Sequence, residues 1–393
     1  IPISIITGAL ISIINITLIA ISFLFILILN KEVKIFKNNV IICLFVLYLY
    51  LIFNSLVALD LEISLKRNFG FIRYILLFLA INYFFINSDF KNNVLKFWGL
   101  VVSVLLIDSY VEIINGKNIL GFGGDSELYG RRLVSFFKDE PIVGSFLNAF
   151  YLMIVGFFFQ NFNNYSIQRK SLICVFIVLC VLCIILSGER SNSIKAVLGF
   201  ILFLLVNKKI KMKIKLMIFV SLIFISTILF NKIEFLKTRY GIITPYDRVE
   251  TIKNNVYFKL YNSAFEIFKD YPLLGIGNKN YRIQACEKEK VNPIFFCNTH
   301  PHQIYFEFLS EHGVIGTSII LIIFFFLLFK ILKVIFLNKE KNYVQVGCFI
   351  YLTIVFIPFL PSGSFFADFN ANLFWINFSI MYAVNKKTNI FSS

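Results

Sequence analysis

Apolar runs long enough to cross a bilayer recur from one end of this chain to the other. They fall at about 3–30, 39–58, 69–86, 94–114, 141–160, 171–187, 193–206, 214–230, 304–329, 343–360 and 370–384. A helix needs about 20 mostly apolar residues to span the hydrocarbon core. Inside it, backbone polar groups must be satisfied within the segment, which selects helix over any open sheet. Apolar residues make up 58% of the chain and charged ones 15%, against about 45–50% and about 25% in soluble domains. The sequence therefore specifies an all-α, polytopic helical membrane protein with about 11–12 transmembrane helices. Run 3–30 is long for one straight span and is expected to tilt or break. The chain opens at Ile1 already apolar, without the basic start and small-residue cleavage site of a signal peptide. A leading piece, about one helix long, is expected ahead of it.

Positive charge is the second constraint. The net charge of +16 is spread as short Lys and Arg clusters between apolar runs, which orients a membrane protein and gives no reason to expect a nucleic-acid partner. Counted from the first, alternate linkers are basic: KEVKIFK, NSDFKNNVLK, SIQRK, NKKIKMKIK and KILKVIFLNKEKN, with NKKTN in the tail on the same side. The basic side is read as cytoplasmic, which sends the polar segments 115–140 and 231–303 to the far, external side of the membrane. Three parts follow: N-terminal transmembrane helices over 1–230, a large external loop over 231–303, and C-terminal transmembrane helices over 304–393. The loop is too long for a simple connector. Helical spacing in YNSAFEIFKDY, ended by PLLGIG, predicts a partly helical cap. Five of the seven cysteines lie in apolar runs and read as packing residues. Cys286 and Cys297 flank a polar stretch of the outer loop, where a bridge between them is permitted.

All three histidines fall in the stretch THPHQIYFEFLSEHG, residues 299–313. His302 precedes an increasingly apolar helix, at the depth where an imidazole is shielded yet reaches water and a head group. Three roles fit the spacing: a general base with a pKa near 6.5, a hydrogen-bonded cap, or a ligand in a zinc site with His300, His312, Cys297 and nearby carboxylates. His300 and His302 are too close along a turn for easy joint chelation, and His312 lies about three helical turns beyond. The tight turn SGERSNS, residues 187–193, puts Arg190 at the membrane boundary beside hydroxyls, an amide and helix N-terminal N–H groups. Lipid phosphate, Glu189 or a diphosphate-linked substrate would each partner that guanidinium. Lys279 and Arg282 in GNKNYR, and Arg131, Arg132, Lys138, Asp139 and Glu140 in GRRLVSFFKDEP, fit either a surface or a substrate role. Arg73 is expected to snorkel to a membrane face. The sequence contains no P-loop, G-x-G-x-x-G or H-E-x-x-H motif.

The segments RRLVSFFKDEPIVGSFL, SGERSNSIKAVLGF, KDYPLLGIGNKNYR and HPHQIYFEFLSEHGVIGT resemble, in kind and order, those of the O-antigen ligase and polymerase superfamily. These are bacterial membrane glycosyltransferases acting on undecaprenyl-diphosphate-linked sugars. The ligase pattern runs histidine, then Asn, Ser or Gln, nine residues, glycine, two residues, Lys or Arg, and threonine. His302, Gln303, Gly313 and Thr317 match it, and Gly316 stands where the basic residue belongs. That departure weakens a ligase assignment and leaves the superfamily intact. The resemblance implies a GT-C-like fold with its active site facing the periplasm and His302 as the catalytic histidine. It also implies Arg190 and Arg282 as diphosphate-binding residues, with Arg132, Lys279, His300, Gln303 and Glu311 as further substrate-binding candidates. The donor would be an undecaprenyl-diphosphate-linked oligosaccharide and the acceptor a glycan or lipid A core, met at the membrane lipid, with no cofactor and no metal. A transporter or flippase of lipid-linked glycans is the alternative.

Overall fold

Each of the eleven apolar runs contains helix in the computed structural model, which describes residues 1–30, 37–123, 132–240, 255–338 and 340–392. The first run breaks at Gly8 into α1 (Pro2–Thr7) and α2 (Ala9–Asn30), Gly8 taking φ 131°. Then come α3 (Asn39–Leu56), α4 (Leu61–Phe69), α5 (Ile72–Phe84), α6 (Ser88–Asn115), α7 (Val143–Gln160), α8 (Ile167–Leu186), α9 (Arg190–Val206) and α10 (Met212–Lys232). The 231–303 segment holds α11 (Glu234–Tyr240), α12 (Val256–Asp270) and α13 (Tyr281–Glu289). The chain ends with α14 (Ile304–Leu337), α15 (Tyr343–Val355) and α16 (Asp368–Ala383). No strand occurs among the described residues, and the protein is a polytopic helical membrane protein.

Seven helices among the described residues are long and apolar enough to cross a membrane. Of the rest, α5, α15 and α16, of 13, 13 and 16 residues, are shorter than the roughly 20 residues a lipid-facing span needs. They bury most of their side chains against α7 and α2, so protein, not lipid, surrounds them. The described basic linkers gather at one end of this bundle, while residues 31–36 of KEVKIFK lie outside the described residues. There Lys209 Nζ donates to the Gln160 carbonyl at 2.6 Å, Asn342 Nδ2 to the Val384 carbonyl at 2.9 Å and Lys387 Nζ to Asn338 Oδ1 at 2.5 Å. The α11–α13 cap, the N-termini of α7, α9 and α14 and the 356–367 linker lie at the other end.

The cap is locked to the bundle through a break in α14. Gly313 sits at φ 61°, ψ −171° inside that helix, which frees backbone groups that must find new partners. The PLLGIG segment supplies them. Val314 and Ile315 donate to the Pro272 and Leu273 carbonyls at 2.8 and 3.1 Å, while Ile276 and Gly277 donate to the Ser310 and Glu311 carbonyls at 3.1 and 2.9 Å. A Cβ on Gly313 would meet Leu273 backbone at 2.4 Å, and one on Gly275 would meet Glu311 and His312 backbone at 2.4 Å, so the two strands of backbone touch because both carry glycine. Asn54 of α3 ties the crossing, donating to the Glu311 carbonyl at 3.1 Å and accepting Asn278 N–H at 2.8 Å. The amphipathic α12 packs Ala264 and Ile267 with Ile276, Tyr281, Ala285 and Phe295 of the cap, Phe306 of α14 resting against them. A disulfide joins Cys286 to Cys297, their Cα atoms 4.2 Å apart.

Candidate functional site

His302 is placed by three hydrogen bonds that do not use its ring. Its carbonyl accepts Ser362 N–H at 2.8 Å from the linker between α15 and α16. The next residue, Gln303, caps α14, its Oε1 accepting Tyr305 N–H at 2.7 Å and Phe306 N–H at 2.9 Å. His302 itself takes φ 55°, a left-handed conformation uncommon outside glycine. The Tyr257 ring meets it edge-on at 6.0 Å, and the His300 ring lies 3.9 Å away, centroid to centroid. Burial lowers the His302 pKa from its ordinary value, opposed by a hydrogen bond to the Ser362 backbone. His300 falls further, to about 3, through burial and then the His302 charge. Both imidazoles are therefore neutral near pH 7.

Arg190 opens α9 directly after the turn at Gly188, whose φ is 75°. A guanidinium in the first turn of a helix opposes the macrodipole, so helix stability does not account for it. Arg190 is exposed and makes no hydrogen bond or ion pair among the described residues. The N–H groups of Arg190, Ser191 and Asn192 likewise lack acceptors there, which leaves an anion-attracting helix end. The neighbouring Glu189 is committed elsewhere. It accepts Gly144 N–H at 2.5 Å, Ser145 Oγ at 2.9 Å and Asn192 Nδ2 at 2.7 Å, closing the N-terminus of α7. Burial raises its pKa, against those hydrogen bonds and the Arg132 charge.

Two more guanidinium groups converge here. The short helix α11 docks on the turn between α8 and α9: Arg239 Nε donates to the Gly188 carbonyl at 3.1 Å, and Tyr240 Oη to the Ile185 carbonyl at 2.8 Å. The strand of loop after residue 131 is held from beneath by α6. Asp108 Oδ2 accepts the Ser135 hydroxyl at 2.5 Å, Glu112 Oε2 accepts Ser135 N–H at 2.6 Å, and Leu133 N–H reaches the Ser187 carbonyl at 3.3 Å. Arg132 is thereby carried to the same turn. Burial first, then the charges of Arg132 and Arg190, pull the Arg239 pKa below the ordinary guanidinium range. Three cations that repel one another in one place favour an anion between them.

One cavity of about 510 Å³ joins these elements, lined among others by His302, Tyr257, Arg132, Arg190, Arg239 and Lys195. The remaining sequence candidates fall outside its lining. Arg282 is exposed on α13, and Lys279 is exposed at φ 67° in the glycine turn. Glu311 is buried at the helix break, its Oε1 accepting Tyr281 N–H at 3.0 Å. His300 packs behind His302 with Nδ1 2.9 Å from the Thr299 hydroxyl. His312 is buried in the core, Nδ1 3.1 Å from Tyr50 Oη, so the three histidines do not form one site. Cys297 is bound as disulfide and is not a free thiolate ligand. Lys138, Asp139 and Glu140 are exposed, Arg131 lies outside the described residues, and Arg73, expected to snorkel, pairs with Asp368. Sequence reasoning missed Arg239, Tyr257 and Lys195. Lys237 and Arg239 sit on the same short helix, one exposed and one turned inward, and nothing in EFLKTRY says which.

Fold and cavity together define a multi-pass membrane protein with a histidine facing a cationic cleft at one end of its helices. Residues 175–321 match the family model described as O-antigen ligase, a stretch that runs from within α8, through the arginine turn and α11, to His302 and beyond the break in α14. The match supports the O-antigen ligase/polymerase superfamily and, with it, a glycosyltransferase-like enzyme in O-antigen ligase-like surface polysaccharide assembly. No curated protein and no solved structure matches the chain.

Proposed function

We propose that this protein transfers a glycan from an undecaprenyl-diphosphate carrier to an acceptor hydroxyl at the periplasmic end of the helices, the end away from the basic linkers. The observation that carries the reading is the single cavity shared by His302 and three arginines. The acceptor hydroxyl attacks the anomeric carbon from the face opposite the diphosphate, so the configuration inverts. Neutral His302 takes the hydroxyl proton as the new bond forms, a contribution of about 10²–10⁴-fold in rate. The bond from the anomeric carbon to the phosphate oxygen breaks, and negative charge grows on the departing diphosphate. Arg190, Arg239 and Arg132, with the open N-terminus of α9, stabilise that charge as a metal ion does in other glycosyltransferases. Arg282 has no place in this step because it does not line the cavity. The α11–α13 cap covers the sugars, and the prenyl tail extends from the cavity into the lipid.

The test is transfer of a glycan from a purified prenyl-diphosphate donor by the full chain in lipid nanodiscs. His302→Ala is expected to cut turnover by about 100-fold or more, and unchanged turnover would overturn the assignment. Wild-type protein that moved the donor across the bilayer without forming a new glycosidic bond would point instead to a transporter.

A further inference from the structure

Beneath the arginine rim the cavity contains a cation that the proposed reaction has not used. Lys195 lines it from α9 and is only 8% exposed. It makes no hydrogen bond or ion pair among the described residues. A buried ammonium without a partner is costly, and one on a membrane helix marks a ligand or ion pathway more often than a packing position. Exposure to lipid does not explain it, since the side chain is buried and lines the cavity. Glu189, the carboxylate in the lining, is taken up by Gly144, Ser145 and Asn192.

A second orphan stands at the same level. Asn148 of α7 is 2% exposed, lines the cavity, and its Oδ1 is buried without a hydrogen-bond partner. The register between α7 and α9 is fixed above by Asn192 Nδ2 on Ser145 Oγ at 2.7 Å and below by Tyr151 Oη on the Ala196 carbonyl at 2.6 Å. Asn148 and Lys195 lie between those two ties. A side-chain amide can turn to present either its oxygen or its NH2, so the pair offers an ammonium and an amide donor to one anion.

Depth identifies which anion. Lys195 follows Arg190 by five residues, about 7.5 Å farther along α9 toward the membrane interior. In a prenyl diphosphate the phosphate esterified to the lipid must lie inward of the one that carries the sugar. We propose that Lys195, assisted by Asn148, holds the lipid-proximal phosphate of the carrier while the arginines hold the sugar-proximal one. This rests on the donor reading above and adds a second, inner anionic subsite. It also gives the site a grip on the prenyl monophosphate class, which the arginines alone would not retain.

Equilibrium binding of a fluorescent prenyl diphosphate and the matching prenyl monophosphate to the full chain in nanodiscs tests this. Lys195→Met is expected to weaken both ligands tenfold or more, with Lys195→Arg restoring most of the loss and Asn148→Ala weakening both to a smaller degree. Arg190→Ala should weaken the diphosphate tenfold or more and leave the monophosphate within about twofold, since its loss removes outer-subsite hydrogen bonds to a charged group. Unchanged thermal melting of each variant keeps the comparison free of misfolding. If Lys195→Met binds both ligands like wild type while Arg190→Ala loses the diphosphate, the inner subsite is wrong and the donor reading stands. If wild-type protein binds no prenyl diphosphate, the donor reading fails and the subsite with it. Inorganic phosphate displacing the monophosphate at equal concentration would also overturn the proposal, because the ligand would then be free phosphate and not a lipid.

Discussion

Two turns of this chain place an arginine shortly after a glycine, Gly188 before Arg190 and Gly277 before Arg282, and the fold uses them in opposite ways. At the first, the polar groups are left open: Arg190 and the leading N–H groups of α9 have no partners among the described residues and face the cavity. At the second, the polar groups are consumed by the fold. Gly277 N–H donates to the Glu311 carbonyl at 2.9 Å, Asn278 Nδ2 to Asn68 Oδ1 at 2.5 Å and Asn280 Oδ1 accepts Asp60 N–H at 2.7 Å. Arg282, one turn further, points to solvent. A polar glycine turn beside a membrane helix is thus a scaffold when its donors are satisfied and a binding site when they are not.

The largest effects should separate the cavity's arginines from the rest. Arg239→Ala is expected to lower transfer by about 10- to 100-fold, the loss of a charged hydrogen bond worth about 1.5–3 kcal/mol; an unaltered rate would remove it from the site. At the scaffold, Gly313→Ala puts a Cβ against Leu273 at φ 61° and should cost on the order of 1–3 kcal/mol. Thermal unfolding in detergent would show it as a clear drop in Tm, and an unshifted Tm would mean that the crossing is loose. Gln303→Ala removes the cap on α14 and should cost about 1 kcal/mol. Because this residue holds the helix that carries His302, turnover should fall only modestly, and a collapse comparable to His302→Ala would give Gln303 a direct role in chemistry.

The smallest effect is a displacement on the pH axis. Burial holds His302 below its ordinary pKa, so the neutral base persists as pH falls through about 6.5 and the acid limb of turnover should lie below that value. A limb at or above it would contradict the buried site. His300 adds a stability counterpart. Its folded pKa of about 3 is below the unfolded value of about 6.5, so the unfolded chain takes up a proton first. Its contribution to stability is complete above that upper value and is lost progressively as pH falls toward the lower one.

Much of this molecule is legible in its sequence because bilayer physics leaves few choices. The eleven apolar runs became helix, and the described basic linkers collected at one end, since length and charge act locally. The pairing of His302 with Arg190 in one cavity was likewise anticipated, both lying where apolar segments meet a polar loop. What could not be read was set by tertiary direction. Gln303 and Glu311 look like substrate ligands beside a histidine, yet one caps a helix and the other accepts Tyr281 N–H at its break. Lys195 hides inside an apolar run, where sequence gives no sign whether a lysine faces lipid, the helix end or a cleft.

The most direct test sets Arg190→Ala beside Arg282→Ala in the same nanodisc transfer assay. If an open cationic cleft carries the chemistry, the first variant loses about 10- to 100-fold in turnover and the second stays within about twofold of wild type, as expected for an exposed surface charge. Equal losses, or a larger loss at Arg282, would contradict the account.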